Sequence, residues 1–176
     1  MNHDDAELLE RKIREFSCKK DTDVESFIKE KSMIYERSGL SRTYLYFAYN
    51  QNRFDIVAYF SVAITATSFE GISKSRKAKV LGGKPGRETK DHFGGLLVAQ
   101  LGRNDSFSSL DISGTEMIAD AEKIIEKGRY YLGGKIVYLD CRESLIHFYQ
   151  DNGYSLLKNE VYPSGYYKMF KTLPRI

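Results

Sequence analysis

The chain has 176 residues, 41% hydrophobic and 29% charged. That is enough apolar chain for one ordinary core and excludes a disordered tail. A formal charge of +3 is too mild to mark a nucleic-acid protein by itself. Two cysteines, Cys18 and Cys141, exclude a disulfide scaffold and a cysteine-only zinc site, and three scattered histidines give no metal-ligand spacing.

The opening M-N-H-D-D-A-E-L-L-E is acidic and helical in style. It lacks the basic and apolar regions of a signal peptide. No apolar run reaches the roughly 18 residues of a membrane span, so a cytoplasmic, reduced protein with no membrane partner is expected. Asp21, Thr22 and Asp23 then offer N-cap oxygens. Val24, Phe27, Ile28, Ile34 and Tyr35 follow near a helical period, with Gly39 as the stop. Thr43 to Tyr49 and Phe54 to Phe69 are rich in β-formers, and Asn50, Gln51, Asn52 and Arg53 read as a turn joining them into an antiparallel pair.

Residues 72–90 break the pattern. They hold seven basic residues and one acidic residue, a charge of +6, which leaves −3 for the remainder (3 − 6). Gly82, Gly83, Pro85 and Gly86 make the segment read as a loop. Leu96 to Leu101 suits a buried strand. Met117, Ile118, Ala121, Ile124, Ile125 and Gly128 line one face of a helix that Gly133 and Gly134 end. Ile136 to Leu139 is a second buried-type strand, and the intervening unit has the length of a parallel crossover. Ser144 to Asn152 reads as a short helix stopped by Gly153. Two β-like runs, Tyr154 to Leu157 and Tyr166 to Phe170, flank a turn with Pro163 and Gly165.

The most informative junction follows the strand at 96–103. A strand that ends in a polar turn and opens a helix exposes N–H groups that accept phosphate oxygens. Here the turn runs Ser108, Ser109, Leu110, Asp111, Ile112, Ser113, Gly114, Thr115, and Gly114 permits close approach of an anion. The same residues also read as a plain N-cap, Ser113 capping with Glu116 near N3.

Two stretches, L-L-V-A-Q-L-G-R-N-D-S-F-S-S-L-D-I-S-G-T-E-M-I and I-V-Y-L-D-C-R-E-S-L-I-H-F-Y-Q-D-N-G-Y, resemble the GNAT superfamily of acetyl-coenzyme A-dependent N-acetyltransferases. That family's pattern is an apolar strand, a glycine-bearing turn and a long helix, then a strand, a short helix carrying F-Y, and G-F or G-Y. Phe16, Ser17 and Cys18, with Ser41, Arg42, Thr43 and Tyr44, resemble segments of the acetyltransferase toxins of bacterial toxin–antitoxin pairs. The resemblance implies one α+β domain over residues 1–176: a GNAT fold, with a mixed central sheet of six to seven strands and about four helices.

It also implies acetyl-CoA as cosubstrate, no metal, and a primary amine as acceptor. Tyr149 matches the F-Y tyrosine and takes the general-acid role: a phenol near pKa 10 can reprotonate a leaving thiolate whose acid lies near about 8.5. Backbone groups of Gln100, Leu101 and Gly102 would meet the pantetheine and the oxyanion. The amides of Leu110, Asp111, Ile112, Ser113, Gly114 and Thr115 would meet the pyrophosphate, with Arg103 as an added phosphate contact. Asp111 departs from the family, because a carboxylate beside a pyrophosphate is unfavourable unless it points away.

No general base announces itself; Glu70 is the best carboxylate candidate. A site without a strong base leans toward an α-amine, whose pKa of about 7.7–8.0 lies well below a lysine's. The α-amine of aminoacyl-tRNA, the substrate of the toxin relatives, fits that lean. Lys74, Arg76, Lys77, Lys79, Lys84, Arg87 and Lys90 offer a path for its phosphates or, equally, a solvated loop. The alternatives are an acetyltransferase for a small amine or protein N-terminus, and a GNAT-fold binding module without activity. An antitoxin and a homodimer are further expected partners, the latter through the strands with Tyr166, Tyr167 and Phe170.

Overall fold

The computed structural model describes residues 3–50, 53–81 and 91–174. Its six strands are β1 (Arg42–Asn50), β2 (Arg53–Ser68), β3 (His92–Arg103), β4 (Ile136–Cys141), β5 (Ser155–Leu156) and β6 (Tyr167–Thr172). They form one mixed sheet in the order β1-β2-β3-β4-β6-β5. The described helices are α1 (His3–Glu15), α2 (residues 22–37), α3 (Lys74–Leu81), α4 (Gly114–Leu132) and α5 (Ile146–Asp151). The expected α+β class and six-stranded sheet are found; the helix beyond the expected four is α3. The expected turn at Gln51 and Asn52 lies outside the described residues, although β1 and β2 pair antiparallel up to Asn50 and Arg53.

The chain divides into two compact units. The first comprises Met1–Val62 and Gln100–Ala121. Its core gathers Ile13, Phe16, Cys18, Phe27, Ile28, Ile56 and Tyr59 from α1, the segment after it, α2 and β2. Asp21 caps α2 as expected, its carboxylate accepting the amides of Asp23 and Val24. The helix changes register at a π-helical stretch, Phe27–Lys31. The toxin-like segments serve this unit's scaffold. Phe16 is fully buried, edge-on to Tyr59 at 5.5 Å. The Arg42 guanidinium donates to both the Glu36 carbonyl and carboxylate at 2.9 Å, tying the end of α2 to the start of β1.

The second unit comprises Ala63–Ala99 and Glu122–Ile176. Phe69, Ile72, Val80, Leu81, Ile136, Tyr138, Leu157 and Phe170 form a core here. The parallel relation of β3 and β4 expected of a crossover is present, with Leu96 opposite Val137 and Leu97 opposite Tyr138. That register ends there, although both strands run on. β3 also begins earlier than the apolar run suggested, at His92.

The reading of 72–90 as a single loop is corrected over 74–81, which is α3. Lys77 is buried there, its ammonium 2.8 Å from the Asp91 carboxylate. Arg76 donates to the Leu156 carbonyl and lies over the Phe170 ring. Two of the seven cations are therefore bound internally, Lys74 and Lys79 are exposed, and Lys84, Arg87 and Lys90 lie outside the described residues.

Candidate functional site

The turn after β3 is held by residues whose roles the sequence alone did not reveal. Asn104, buried, donates its side-chain amide to the Ile56 carbonyl at 3.0 Å and its backbone amide to Val57 at 2.8 Å. Its own side-chain oxygen accepts the Ser106 amide. Asp105 accepts the Ser17 hydroxyl at 2.8 Å and the Lys19 amide at 2.9 Å, and those bonds hold its carboxyl below the usual range. The loop from β3 is thus fastened to β2 and to the segment after α1 before it reaches the predicted anion site.

All ten predicted cofactor residues, Gln100 to Arg103 and Leu110 to Thr115, fall in the first unit. Asp111 turns back on its own turn, accepting the Ser108 amide at 2.7 Å and hydroxyl at 2.9 Å. Those two bonds depress its pKa. Ser113 and Glu116 form the expected capping box. Glu116 accepts the Ser113 amide at 2.8 Å and hydroxyl at 2.7 Å, and its own amide donates to the Ser113 hydroxyl at 3.1 Å. The Arg103 guanidinium donates to the Ile112 carbonyl at 2.9 Å, so it braces the turn from within.

The amides of Leu110, Asp111, Ile112 and Ser113 all have internal acceptors. Among the described residues none takes the amides of Gly114 and Thr115, the first two positions of α4. The positive end of the helix dipole adds to them. The anion-accepting capacity of the turn therefore concentrates on two adjacent amides at the glycine, flanked by two carboxylates already engaged.

Gly102 needs its missing side chain for packing: a Cβ there would lie 2.3 Å from Val24 Cγ1 and 3.0 Å from Tyr59 Cε1. Leu110 is 97% exposed, leaving the apex of the turn uncovered.

Tyr149 belongs to the second unit, on α5, and is buried. Its carbonyl accepts the Tyr154 amide at 3.0 Å while Gln150 accepts the Gly153 amide at 2.9 Å, with Gly153 at φ +86°. This is a Schellman cap with Tyr149 at C3 and Tyr154 at C″. The apolar contact that accompanies such caps is the Tyr149–Tyr154 ring pair, 6.0 Å between centroids. Glu70 lies past the end of β2 with an exposed side chain. No group of three or more metal-ligating side chains occurs among the described residues, and no described helix is long and apolar enough to cross a membrane.

No protein-family model and no curated protein matches the sequence. Solved structures do match its fold. The crystal structure of a bacterial toxin superposes with a TM-score of 0.73 at 17% identity, over 90% of this chain and 82% of that one. AtaT complexed with acetyl-methionyl-tRNAfMet gives 0.68 at 15% identity, over 91% and 86%. A tyrosine-to-phenylalanine mutant of the AtaT toxin, bound to acetyl-CoA and the C-terminus of the antitoxin AtaR, gives 0.65 at 12% identity, over 91% and 84%. The chain has the GNAT fold of these toxins.

Proposed function

We propose that the protein is an N-acetyltransferase that passes acetyl from acetyl-CoA to a primary amine by direct attack. The observation that carries this reading is the braced turn that leaves the Gly114 and Thr115 amides for the pyrophosphate at the start of α4. The end of the β3–β4 register after Leu97 and Tyr138 supports it, since strand groups past the last pair no longer serve that ladder. The fold shared with an AtaT that binds acetyl-CoA supports it from outside the chain. Tyr149 is the proposed general acid: the neutral amine attacks the thioester carbonyl, the tetrahedral intermediate expels coenzyme A thiolate, the phenol protonates that sulfur, and the proton lost by the attacking nitrogen passes to solvent, which restores the phenol.

Calorimetric titration with acetyl-CoA tests the cosubstrate, and release of free thiol with a panel of amines tests the reaction. Glu116→Gln removes a charge that competes for the Ser113 amide. It is expected to tighten acetyl-CoA about two- to fivefold at low salt, the 0.3–1 kcal/mol typical of one charge at a helix N-terminus. Weaker or unchanged binding would place the pyrophosphate elsewhere.

For the acceptor we propose the α-amine of an aminoacyl-tRNA. No described group supplies an evident strong base, and AtaT is itself seen with an acetylated aminoacyl-tRNA. Of the basic segment, Lys74 and Lys79 are the exposed described cations. Replacing both by Ala should weaken tRNA binding and lower the slope of log affinity against log salt by about two. An unchanged slope would remove them from the contact. Lys77→Ala should instead lower thermal stability, because it breaks the pair with Asp91. That pair holds the Asp91 carboxyl below its ordinary value, so its stabilisation is present at neutral pH and is lost as pH falls through the depressed value.

The engagement of donors by Asp111 and Glu116 favours a second reading, a GNAT-fold binding module without catalytic activity. Absence of any heat on titration would decide for it. A small-amine or protein N-terminal acceptor is decided by the amine panel. An antitoxin partner and self-association are proposals that co-expression and sedimentation test.

A further inference from the structure

We propose that Lys171, clamped by Glu122, is the positioning residue that fixes the Tyr149 phenol by closing the C-terminal cap of α5; this deepens the general-acid reading and rests on it. The last carbonyls of a helix lack intrahelical donors. In α5 the Schellman cap satisfies those of Tyr149 and Gln150 from the Tyr154 and Gly153 amides. The Asn152 carbonyl, at the cap itself, is taken by the Lys171 ammonium at 3.1 Å. A cation at this end also opposes the negative pole of the helix.

Lys171 comes from β6 and Glu122 from α4, so the cap is held by elements distant from it in sequence. Glu122 binds the same ammonium through both carboxylate oxygens, at 2.8 and 2.7 Å. The two side chains are only 27% and 20% exposed, so the pair is shielded from solvent. The ammonium also lies 5.5 Å from the centre of the Tyr154 ring, the ring that packs edge-on against Tyr149. A Cβ on Gly153 would lie 3.4 Å from Lys171 Cε, so the lysine stem lies close along the cap. Lys171 therefore meets the Tyr149 support at three points: the cap carbonyl, the glycine and the partner ring. A shift of about 1 Å in a reacting group can cost 10²-fold in rate, so the clamp has leverage over turnover.

The test measures acetyl transfer to the best acceptor of the amine panel. It uses Lys171→Met and the double variant Glu122→Gln/Lys171→Met, each with Tyr149 native and with Tyr149→Phe. The double variant leaves no unpaired carboxylate and carries the test if the single variant does not fold. Expected are a kcat about 10- to 100-fold lower with KM for acetyl-CoA unchanged when Tyr149 is native, and no further loss in Tyr149→Phe. A native kcat, or an equal loss in both backgrounds, overturns the inference. If Tyr149→Phe alone keeps the native kcat, it is the general-acid reading that fails. Hydrogen exchange reads the clamp without turnover: the Gly153 and Tyr154 amides should exchange at least about tenfold faster in the double variant. Unchanged exchange overturns the clamp, and a native chain inactive on every amine overturns both readings.

Discussion

Tyr149→Phe is expected to lower kcat for acetyl transfer by about 10²–10⁴-fold while acetyl-CoA affinity stays within about twofold. The substitution removes one oxygen from a buried ring and leaves the Schellman cap, a backbone device, in place. It should therefore separate chemistry from folding. The proton has to reach sulfur as the thiolate departs. A phenol, with a reference pKa of about 10, keeps that proton at neutral pH. Handing it to a thiolate whose acid lies at about 8.5 is uphill by about 1.5 pH units, and the step goes forward because the thiol is the stable form at pH 7 and solvent reprotonates the phenolate. In cells, the toxin-like reading adds a second readout: induced native chain should arrest growth and Tyr149→Phe should not. A variant with native kcat removes Tyr149 from the reaction whatever its effect on growth.

The structural setting of Tyr149 was legible because it is local: F-Y, then N-G-Y, encodes a short helix, a positive-φ stop and a capping aromatic within seven residues. The Ser113–Glu116 box and the Asp21 cap were legible for the same reason. What stayed hidden depends on distant partners. α3 reads as a loop because K-S-R-K-A-K-V-L ends in its only two large apolar residues. Its burial rests on the stems and charges of Arg76 and Lys77, whose partners Leu156 and Asp91 lie 80 and 14 residues away. The Glu122–Lys171 clamp spans 49 residues and has no sequence signature.

α2 shows a different failure, one of phase. Val24, Phe27, Ile28, Ile34 and Tyr35 read as one face at a helical period. The π-helical stretch Phe27–Lys31 inserts one extra residue, which rotates everything after it by about 100°. Ser32, absent from that reading, is buried, its hydroxyl donating to the Ile28 carbonyl at 2.6 Å. Tyr35 meets Phe27 edge-on at 5.6 Å, and Ile34 is left 60% exposed. The added residue thus takes Ile34 off the expected face while Tyr35 keeps its place, a split that no count of apolar spacings along the chain can anticipate.

Gly95→Ala is expected to be the most destabilising single-methyl addition in the second unit, while the same change at Gly94 should be nearly neutral. A Cβ at Gly95 would sit 2.4 Å from Tyr138 Cε2 and 2.8 Å from the Ile136 carbonyl oxygen. At Gly94 the nearest atom is the Thr65 carbonyl oxygen at 3.9 Å. The Tyr138 ring cannot swing aside freely. It is fully buried and packs edge-on against Phe69 at 6.5 Å, and the Ile136 oxygen is backbone of a strand paired along its length with β6. The added methyl therefore has to push β3 away from β4 at the start of their short parallel register. Overpacking of this kind costs about 1–3 kcal/mol, and the backbone contact favours the upper end. For a chain of this size that is a fall of roughly 2–10 °C in Tm, read by calorimetry against Gly94→Ala as control. Adding Tyr138→Leu should recover part of the loss but not all, because the Ile136 oxygen remains. Equal melting of the two alanine variants would mean that β3 and β4 are not held at this spacing. The ladder ending at Leu97 and Tyr138 would then lose its fixed point, and with it the support it lends to the acetyl-CoA proposal.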